Sequence, residues 1–123
     1  MTIEEAINRT DATKPNAYSN EEKIAWLSRV DENIKKQIVD THKDAELINF
    51  TGYDETTNKS TVLIAPAPYD ELYLRYLEAQ IDYANAEYGH YNNSISLFNA
   101  AYKAFEKYYN RTHVPLGCTL KIF

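Results

Sequence analysis

Hydrophobic residues at the start of the chain recur at helical spacing behind a capping signal. Thr2 and Glu5 have the spacing of a capping box, in which each side chain accepts a hydrogen bond from the other residue's backbone N–H. Ile3 and Ile7 then fall on one helical face. The pattern predicts a short N-terminal helix over residues 1–14.

A longer hydrophobic stripe follows a second capping signal. Ser19 and Glu22 repeat the capping-box spacing. Apolar residues then follow at intervals of three and four: Ile24, Leu27, Val30, Ile34 and Ile38. This stripe predicts a helix over residues 19–42. At about 100° per residue, Trp26 lies roughly a quarter turn or more off the stripe, which suits either a second contact surface or the edge of a core.

The helical period is lost in the middle of the chain. Over residues 43–66 the pattern predicts a loop followed by a short strand. The strand is expected at the apolar, β-branched run 62–65, which is bounded by prolines. A strand needs a partner, and two partners are open. They are residues 49–53, as a hairpin across the loop, and the terminal residues 118–123.

Two further helical patterns occupy the C-terminal part of the chain. The first predicts a helix over residues 69–88, and Gly89 suits the left-handed cap that ends many helices. The second predicts a helix over residues 93–111. The joint between them is short, so we expect an antiparallel αα-hairpin over residues 69–111, followed by a tail at 115–123.

These elements predict one domain, and 123 residues is a usual size for one. The expected fold class is mainly α. It is a single four-helix domain over residues 1–123, with a long antiparallel αα-hairpin in its C-terminal half. A small β element is expected at the short strand 62–65.

Tyrosine is concentrated in the predicted hairpin. The chain has 11 tyrosines, and nine of them lie between Tyr69 and Tyr109. On a helical projection, a line of tyrosines lies roughly a quarter turn from an aliphatic line that includes Leu77 and Ile81. The tyrosine line consists of Tyr69, Tyr73, Tyr76 and Tyr83. The resulting apolar arc is wider than the single stripe of a surface helix.

Two interpretations of this wide arc remain open. Tyrosine is enriched at protein interfaces, because its ring packs while its hydroxyl stays wet. We therefore predict that the aliphatic line faces the core and that the tyrosine line contacts another subunit or partner. The predicted interface residues are Trp26, Tyr69, Tyr73, Tyr76 and Tyr83. The alternative is a broad core with phenols at its rim.

Charge and composition exclude some classes of function. The formal net charge is −5 and the basic residues are scattered, which argues against a nucleic-acid groove with stacking aromatics. No stretch approaches the roughly 20 apolar residues of a membrane span, so we expect no membrane association. The start of the chain lacks the pattern of a signal peptide, and a cytoplasmic location is therefore expected.

Candidate chemistry is sparse. Glu87 and His90 have a Glu-x-x-His spacing, but no second copy exists and Gly89 interrupts the helical pattern, so we interpret His90 as a turn histidine. No nucleophile elbow or phosphate-binding glycine loop is present in the sequence. We expect a protein that is not an enzyme, with no catalytic residues, no cofactor and no metal.

Two stretches suggest a family. The chain contains PYDELYLRYLEAQIDYANAEYGHYNNSISLFNAAYKAFEKYYNRTHVP, and near its start TIEEAINRTDATKPNAYSNEEKIAWLSRVD. In the order of helices, the Pro-Asn link and the internal Trp-Leu, they resemble head–tail connector (adaptor) proteins of tailed phages and prophages of Gram-positive hosts. The loop 43–60 and the tail after Gly117 lie outside this resemblance.

The resemblance implies a non-enzymatic virion protein. Such adaptors are mostly helical subunits that form a homo-oligomeric ring in the virion, between the portal or capsid and the tail proteins. The implied location is the virion, and the bacterial host cytoplasm during assembly. The acidic charge suits a lumen past which DNA slides. The alternative is a stand-alone helical module that binds a single phage or host protein through the tyrosine face.

Overall fold

The computed structural model describes residues 1–116 and confirms a mainly helical fold. The predicted tail 115–123 and the candidate strand 118–123 therefore lie largely or wholly outside the described residues. No helix of the described part is long and apolar enough to cross a membrane. The helices are α1 (Ile3–Thr13), α2 (Asn20–Gln37), α3 (Glu71–Ala84) and α4 (Tyr88–Thr112), with short 3-10 helices at Val39–Thr41 and Ala45–Leu47.

Both predicted N-terminal caps are present. Thr2 Oγ1 accepts from the N–H of Glu5 at 3.1 Å, and the Glu5 carboxylate accepts from the N–H of Thr2 at 2.9 Å, which completes the capping box of α1. Ser19 Oγ accepts from the N–H of Glu22 at 3.2 Å and caps α2. The α-helix α2 ends at Gln37, because the chain tightens into a 3-10 turn there.

Helix α3 is the centre of the fold. It packs against α1, α2 and α4. Aromatic pairs show that α3 and α4 run antiparallel, since residues later in α3 meet residues earlier in α4. The ring-centroid distances are 4.6 Å for Tyr69–Tyr108, 5.0 Å for Tyr76–Phe98 and 5.3 Å for Tyr83–Tyr91. The expected hairpin is therefore present, although its helices have different bounds.

The turn between α3 and α4 uses a different cap from the expected one. Ala86 takes the left-handed conformation, with φ 60°. Its N–H donates to the carbonyl of Tyr83 at 3.0 Å, and the N–H of Glu87 donates to the carbonyl of Asp82 at 2.9 Å. These two bonds form a Schellman motif, which satisfies the last carbonyls of α3. The expectation that Gly89 ends the third helix is wrong, because Gly89 lies in the first turn of α4.

The small β element is not confirmed. Val62 forms an isolated antiparallel bridge with Thr2, and in the described part of the chain no ladder extends from it. The backbone N–H groups of Ile64 and Ala65 donate instead to a carboxylate of α2 and a phenol of α3. Side chains of α2 and α3 thus accept the hydrogen bonds that the backbone of a partner strand would have accepted. The candidate partner 49–53 is irregular in the structure.

Candidate interaction surface

The predicted tyrosine line does not form one outward face. Tyr73 is fully buried in the core, at 0% exposure, and the expectation that it lies on a contact surface is therefore wrong. Tyr69 and Tyr76 are half-buried and pack against the core, whereas Tyr83 is 57% exposed. The cause is the central position of α3, because α1, α2 and α4 pack on several of its sides and cover part of the tyrosine line.

Tyr73 is part of a buried polar cluster that joins three segments. Its hydroxyl donates to Asp31 Oδ1 at 2.5 Å and accepts from the N–H of Ala65 at 2.8 Å. Tyr53 donates to Asp31 Oδ2 at 2.5 Å, and the N–H of Ile64 donates to the same oxygen at 3.2 Å. Asp31 thus connects α2 to α3 and to the segment before α3.

Burial controls the titration of this cluster. Desolvation raises the pKa of Asp31, although the hydrogen bonds from the two phenols and from the Ile64 N–H act in the opposite direction. Burial and the nearby carboxylate raise the pKa of Tyr53 and of Tyr73. The cluster stabilises a core contact. The buried polar cluster was not predicted from the sequence. The available signal was Asp31 itself, a carboxylate that directly follows Val30 inside the apolar stripe of α2.

The exposed aromatic surface lies where α3 meets α4. The rings of Tyr83 and Tyr88 are 5.8 Å apart, and those of Tyr83 and Tyr91 are 5.3 Å apart, both in edge-on arrangements. Tyr83 and Tyr88 are each 57% exposed. We call these three residues the corner cluster. Of these three residues, only Tyr83 was predicted from the sequence, because the expected helices 69–88 and 93–111 leave Tyr91 in the joint.

A groove between α2 and α4 continues the aromatic surface. It has a volume of about 440 Å³, and its lining includes Val30, Tyr76, Phe98 and Tyr102. Tyr102 Oη donates to Gln37 Oε1 at 3.2 Å across the groove. Burial, and secondarily the charge of Glu106, raise the pKa of Tyr102 to about 12, so its hydroxyl stays protonated at neutral pH.

Trp26 lies at the edge of the core. It is half-buried, packs against the core and meets the ring of Tyr18 edge-on at 6.0 Å. Tyr18 donates to Asn85 Oδ1 at 2.6 Å, which ties the segment between α1 and α2 to the α3–α4 turn. The interface role of Trp26 stays a prediction, as do those of Tyr69, Tyr76 and Tyr83.

The Glu-x-x-His pair gains a third neighbour in the structure. Ligand atoms of Asp82, Glu87 and His90 all lie within 4.8 Å of one another. Sequence spacing missed Asp82, which the Schellman turn brings near. However, Lys14 Nζ lies 2.6 Å from Asp82 Oδ1, and Ser94 Oγ donates to Oδ2 at 2.8 Å. These partners explain the buried carboxylate as a tie between α1, α3 and α4.

Comparisons with known protein families, with curated proteins and with solved structures find no match. The surface features that bear on function are the corner cluster and the groove between α2 and α4.

Proposed function

We propose that the chain is a non-enzymatic phage structural protein, a head–tail connector or adaptor subunit that acts through protein–protein contacts in virion assembly. Its partners would be the portal or capsid on one side and the tail proteins on the other. The proposal is supported by the sequence resemblance described above and by the kind of surface that the hairpin leaves open.

The observation that carries the proposal is the incomplete covering of α4. Only Ser94, Phe105 and Tyr109 are buried along a helix of 25 residues. The corner cluster at its start, and Leu97 with 49% exposure in its middle, remain accessible. Tyrosines that pack on one another while their edges face solvent are typical of protein contact sites.

The net charge of −5 is compatible with a connector that surrounds DNA without binding it tightly. Residues 83–91, which contain the corner cluster, include Glu87 and no Lys or Arg, so the cluster lacks the basic groove that base stacking needs beside it. The surface therefore favours a protein partner.

Deletion of the gene from the phage or prophage that carries it tests the proposal. We expect DNA-filled heads without attached tails by electron microscopy, and the wild-type chain detected by mass spectrometry in complemented virions. Complementation with the double variant Tyr83→Ser, Tyr88→Ser should give few tailed particles. Leu47→Ser, which changes a residue that is 78% exposed and far from the hairpin in sequence, should complement fully.

Circular dichroism must show that the double variant stays folded, so that loss of complementation reports on a contact. Tailed, infectious particles from the deletion strain would contradict the connector proposal. If the particles are normal and the chain instead co-purifies with one phage or host protein through the corner cluster, the alternative of a stand-alone interaction module is correct.

A further inference from the structure

The outward side of α4 carries an unpartnered basic face. Lys103, Lys107 and Arg111 follow one another at intervals of four and are all exposed. None of them takes part in an ion pair within residues 1–116. Like charges at this spacing repel one another in an isolated helix, so an acidic partner would stabilise them.

Small and apolar residues accompany these cations. Ala100 and Ala104 are exposed, and by helical projection they lie beside the cations on the side of α4 turned away from α3. A flat strip of alanines lets another surface approach closely while the long basic side chains reach around it. We call this set the basic face of α4.

An acidic pocket lies on another part of the molecule. Glu21, Asp54 and Glu55 line a pocket of about 280 Å³, together with Ala25 and Tyr53. None of the three carboxylates forms an ion pair in the described part of the chain. The pocket therefore combines negative charge with a small apolar wall, which is the complement of the basic face.

The carboxylates of this pocket oppose one another. The contact with Glu21 raises the pKa of Glu55, and the charge of Asp54 adds to the effect. This arrangement is unfavourable in a lone chain, since two exposed carboxylates meet without a cation between them. A lysine or arginine placed between Glu21 and Glu55 would relieve the repulsion.

The two surfaces belong to different sides of the molecule. The acidic pocket uses the flank of α2 that carries Glu21 and Ala25. The groove toward α4, which Lys103 of the basic face also lines, uses a different flank of α2, which carries Val30, Asn33 and Gln37. Complementary surfaces on different sides of one subunit are what a head-to-tail contact requires.

We propose that the basic face of α4 docks onto the acidic pocket of a second copy of this chain, so that copies associate head to tail. Lys103 and Lys107 would reach toward Glu21 and Glu55 of the next copy. The inference rests on the proposed function, because it names the contact by which connector subunits would meet one another.

The size of the basic face sets the expected strength. A helix of 25 residues is about 37 Å long and about 10 Å wide, so one face offers a few hundred Å². A stable interface buries about 800 Å² on each partner. The contact should therefore be weak in the free protein and sensitive to salt, since exposed charges supply much of its attraction.

Two charge-reversed variants test this contact directly. Variant A is Lys103→Glu with Lys107→Glu, and variant B is Glu21→Lys with Glu55→Lys. In each variant alone, the two docking surfaces have the same sign and repel. When the variants are mixed, the pocket of A meets the helix of B, and the pocket of B meets the helix of A, with opposite signs.

Sedimentation equilibrium and concentration-dependent amide shifts of the full chain at low ionic strength provide the measurement. The wild-type protein should associate, with shifts at the pocket and along the second half of α4. We expect A or B alone to associate at least about 10-fold more weakly, and the mixture to recover association. The control Lys43→Glu with Lys59→Glu has the same charge change as A at other exposed lysines, and it should behave like the wild type.

Three results would overturn the inference. They are a wild-type chain that shows no association up to about 1 mM at low salt, a mixture of A and B that stays monomeric, and a control as impaired as A. Any of these would leave the connector proposal standing if the deletion phenotype is observed. Conversely, normal phage particles after deletion would remove the connector function without affecting a measured head-to-tail contact.

Discussion

The two helices of the C-terminal hairpin differ in how much of their surface they bury. Helix α3 buries six of its 14 residues, which are Leu72, Tyr73, Leu77, Ala79, Ile81 and Asp82. Helix α4 buries three of its 25 residues. Helix α3 has α1, α2 and α4 around it, whereas of these helices only α3 packs against α4. The hairpin therefore consists of a core helix and a helix available for contacts.

Two tyrosines of α3 show what this difference means for a single residue type. The sequence pattern grouped Tyr73 and Tyr83 on one face, but ten residues separate them, so at 100° per residue they project about 80° apart. Tyr73 is fully buried, and its hydroxyl has an acceptor and a donor inside the core. Tyr83 is 57% exposed. Tyrosines of one helix thus either stabilise the fold or stay accessible, depending on whether a neighbouring helix covers their position.

The largest effect should come from the core side of α3. Leu77→Ala should lower the free energy of unfolding by about 2–5 kcal/mol, because Leu77 is fully buried and its truncation leaves a cavity. Leu97→Ala on α4 is the matched control, and it should change stability by less than about 0.5 kcal/mol. Urea denaturation at fixed pH measures both. Similar losses in the two variants would mean that α4 is covered as fully as α3.

A smaller loss of stability is expected when the hydroxyl oxygen of Tyr73 is removed. Tyr73→Phe removes the hydroxyl that donates to Asp31 and accepts from the N–H of Ala65. Leaving these buried groups without a partner should cost about 1–3 kcal/mol. Tyr83→Phe removes an exposed hydroxyl and should cost less than about 0.5 kcal/mol. Equal effects of the two substitutions on the urea midpoint would contradict the assignment of Tyr73 to the core cluster.

The pH dependence of stability separates a buried from an exposed carboxylate. Burial raises the pKa of Asp31 above its ordinary value of 3.8, so the folded state binds that proton more tightly than the unfolded state does. Stability from this group is full below pH 3.8 and is lost as the pH rises through the native pKa. Asn at this position carries no titratable proton, so Asp31→Asn should not lose stability in this way. As the pH rises from 3.8 through the native pKa of Asp31, the free energy of unfolding of the variant should therefore increase relative to that of the wild type.

Asp54 gives the opposite sign and serves as the control. Hydrogen bonds from Thr56 lower the pKa of this exposed carboxylate below 3.8. Its contribution is present above pH 3.8 and is lost as the pH falls through the native pKa. Chemical denaturation of Asp31→Asn and Asp54→Asn between neutral and acidic pH measures the two slopes. Slopes of the same sign would mean that Asp31 is hydrated in the folded protein.

Local signals in the sequence predicted the local parts of the fold. The caps at Thr2 and Ser19 depend on residues three positions apart, and the stripe of α2 depends on intervals of three and four. These features were correct because nearby residues determine them. The start of α3 was close to its expected position for the same reason, although the helix ends at Ala84.

Contacts between distant residues were beyond the sequence pattern. Asp31 and Tyr73 are 42 positions apart, and nothing in either helical stripe indicates that they meet. The same long-range packing buries Tyr73, which was predicted to lie on the contact surface. Helical projection places Tyr73 about 40° from Leu77 and about 80° from Tyr83. It does not give which side of α3 its neighbours cover, so the burial of Tyr73 could not be read from the angle alone.

The smallest effect concerns the turn that joins the core helix to the contact helix. Ala86 is the left-handed residue of the Schellman motif, with φ 60°, and glycine adopts that conformation without a steric cost. Ala86→Gly should therefore raise stability by about 0.5–1 kcal/mol. Thermal denaturation, with far-UV circular dichroism to confirm unchanged helix content, measures the gain.

Gly89 provides the matched variant, because the sequence pattern and the structure predict opposite outcomes for it. As a left-handed cap, Gly89 would lose stability on substitution by alanine. In the structure it lies in the first turn of α4, and an added Cβ would meet no atom within 4 Å. Gly89→Ala should thus raise stability by up to about 0.5–1 kcal/mol, since alanine favours the helix. A loss in Gly89→Ala together with a loss in Ala86→Gly would move the turn three residues along the chain. Tyr83 and Tyr88 of the corner cluster would then both belong to α3, and Tyr91 would lie in the turn after it.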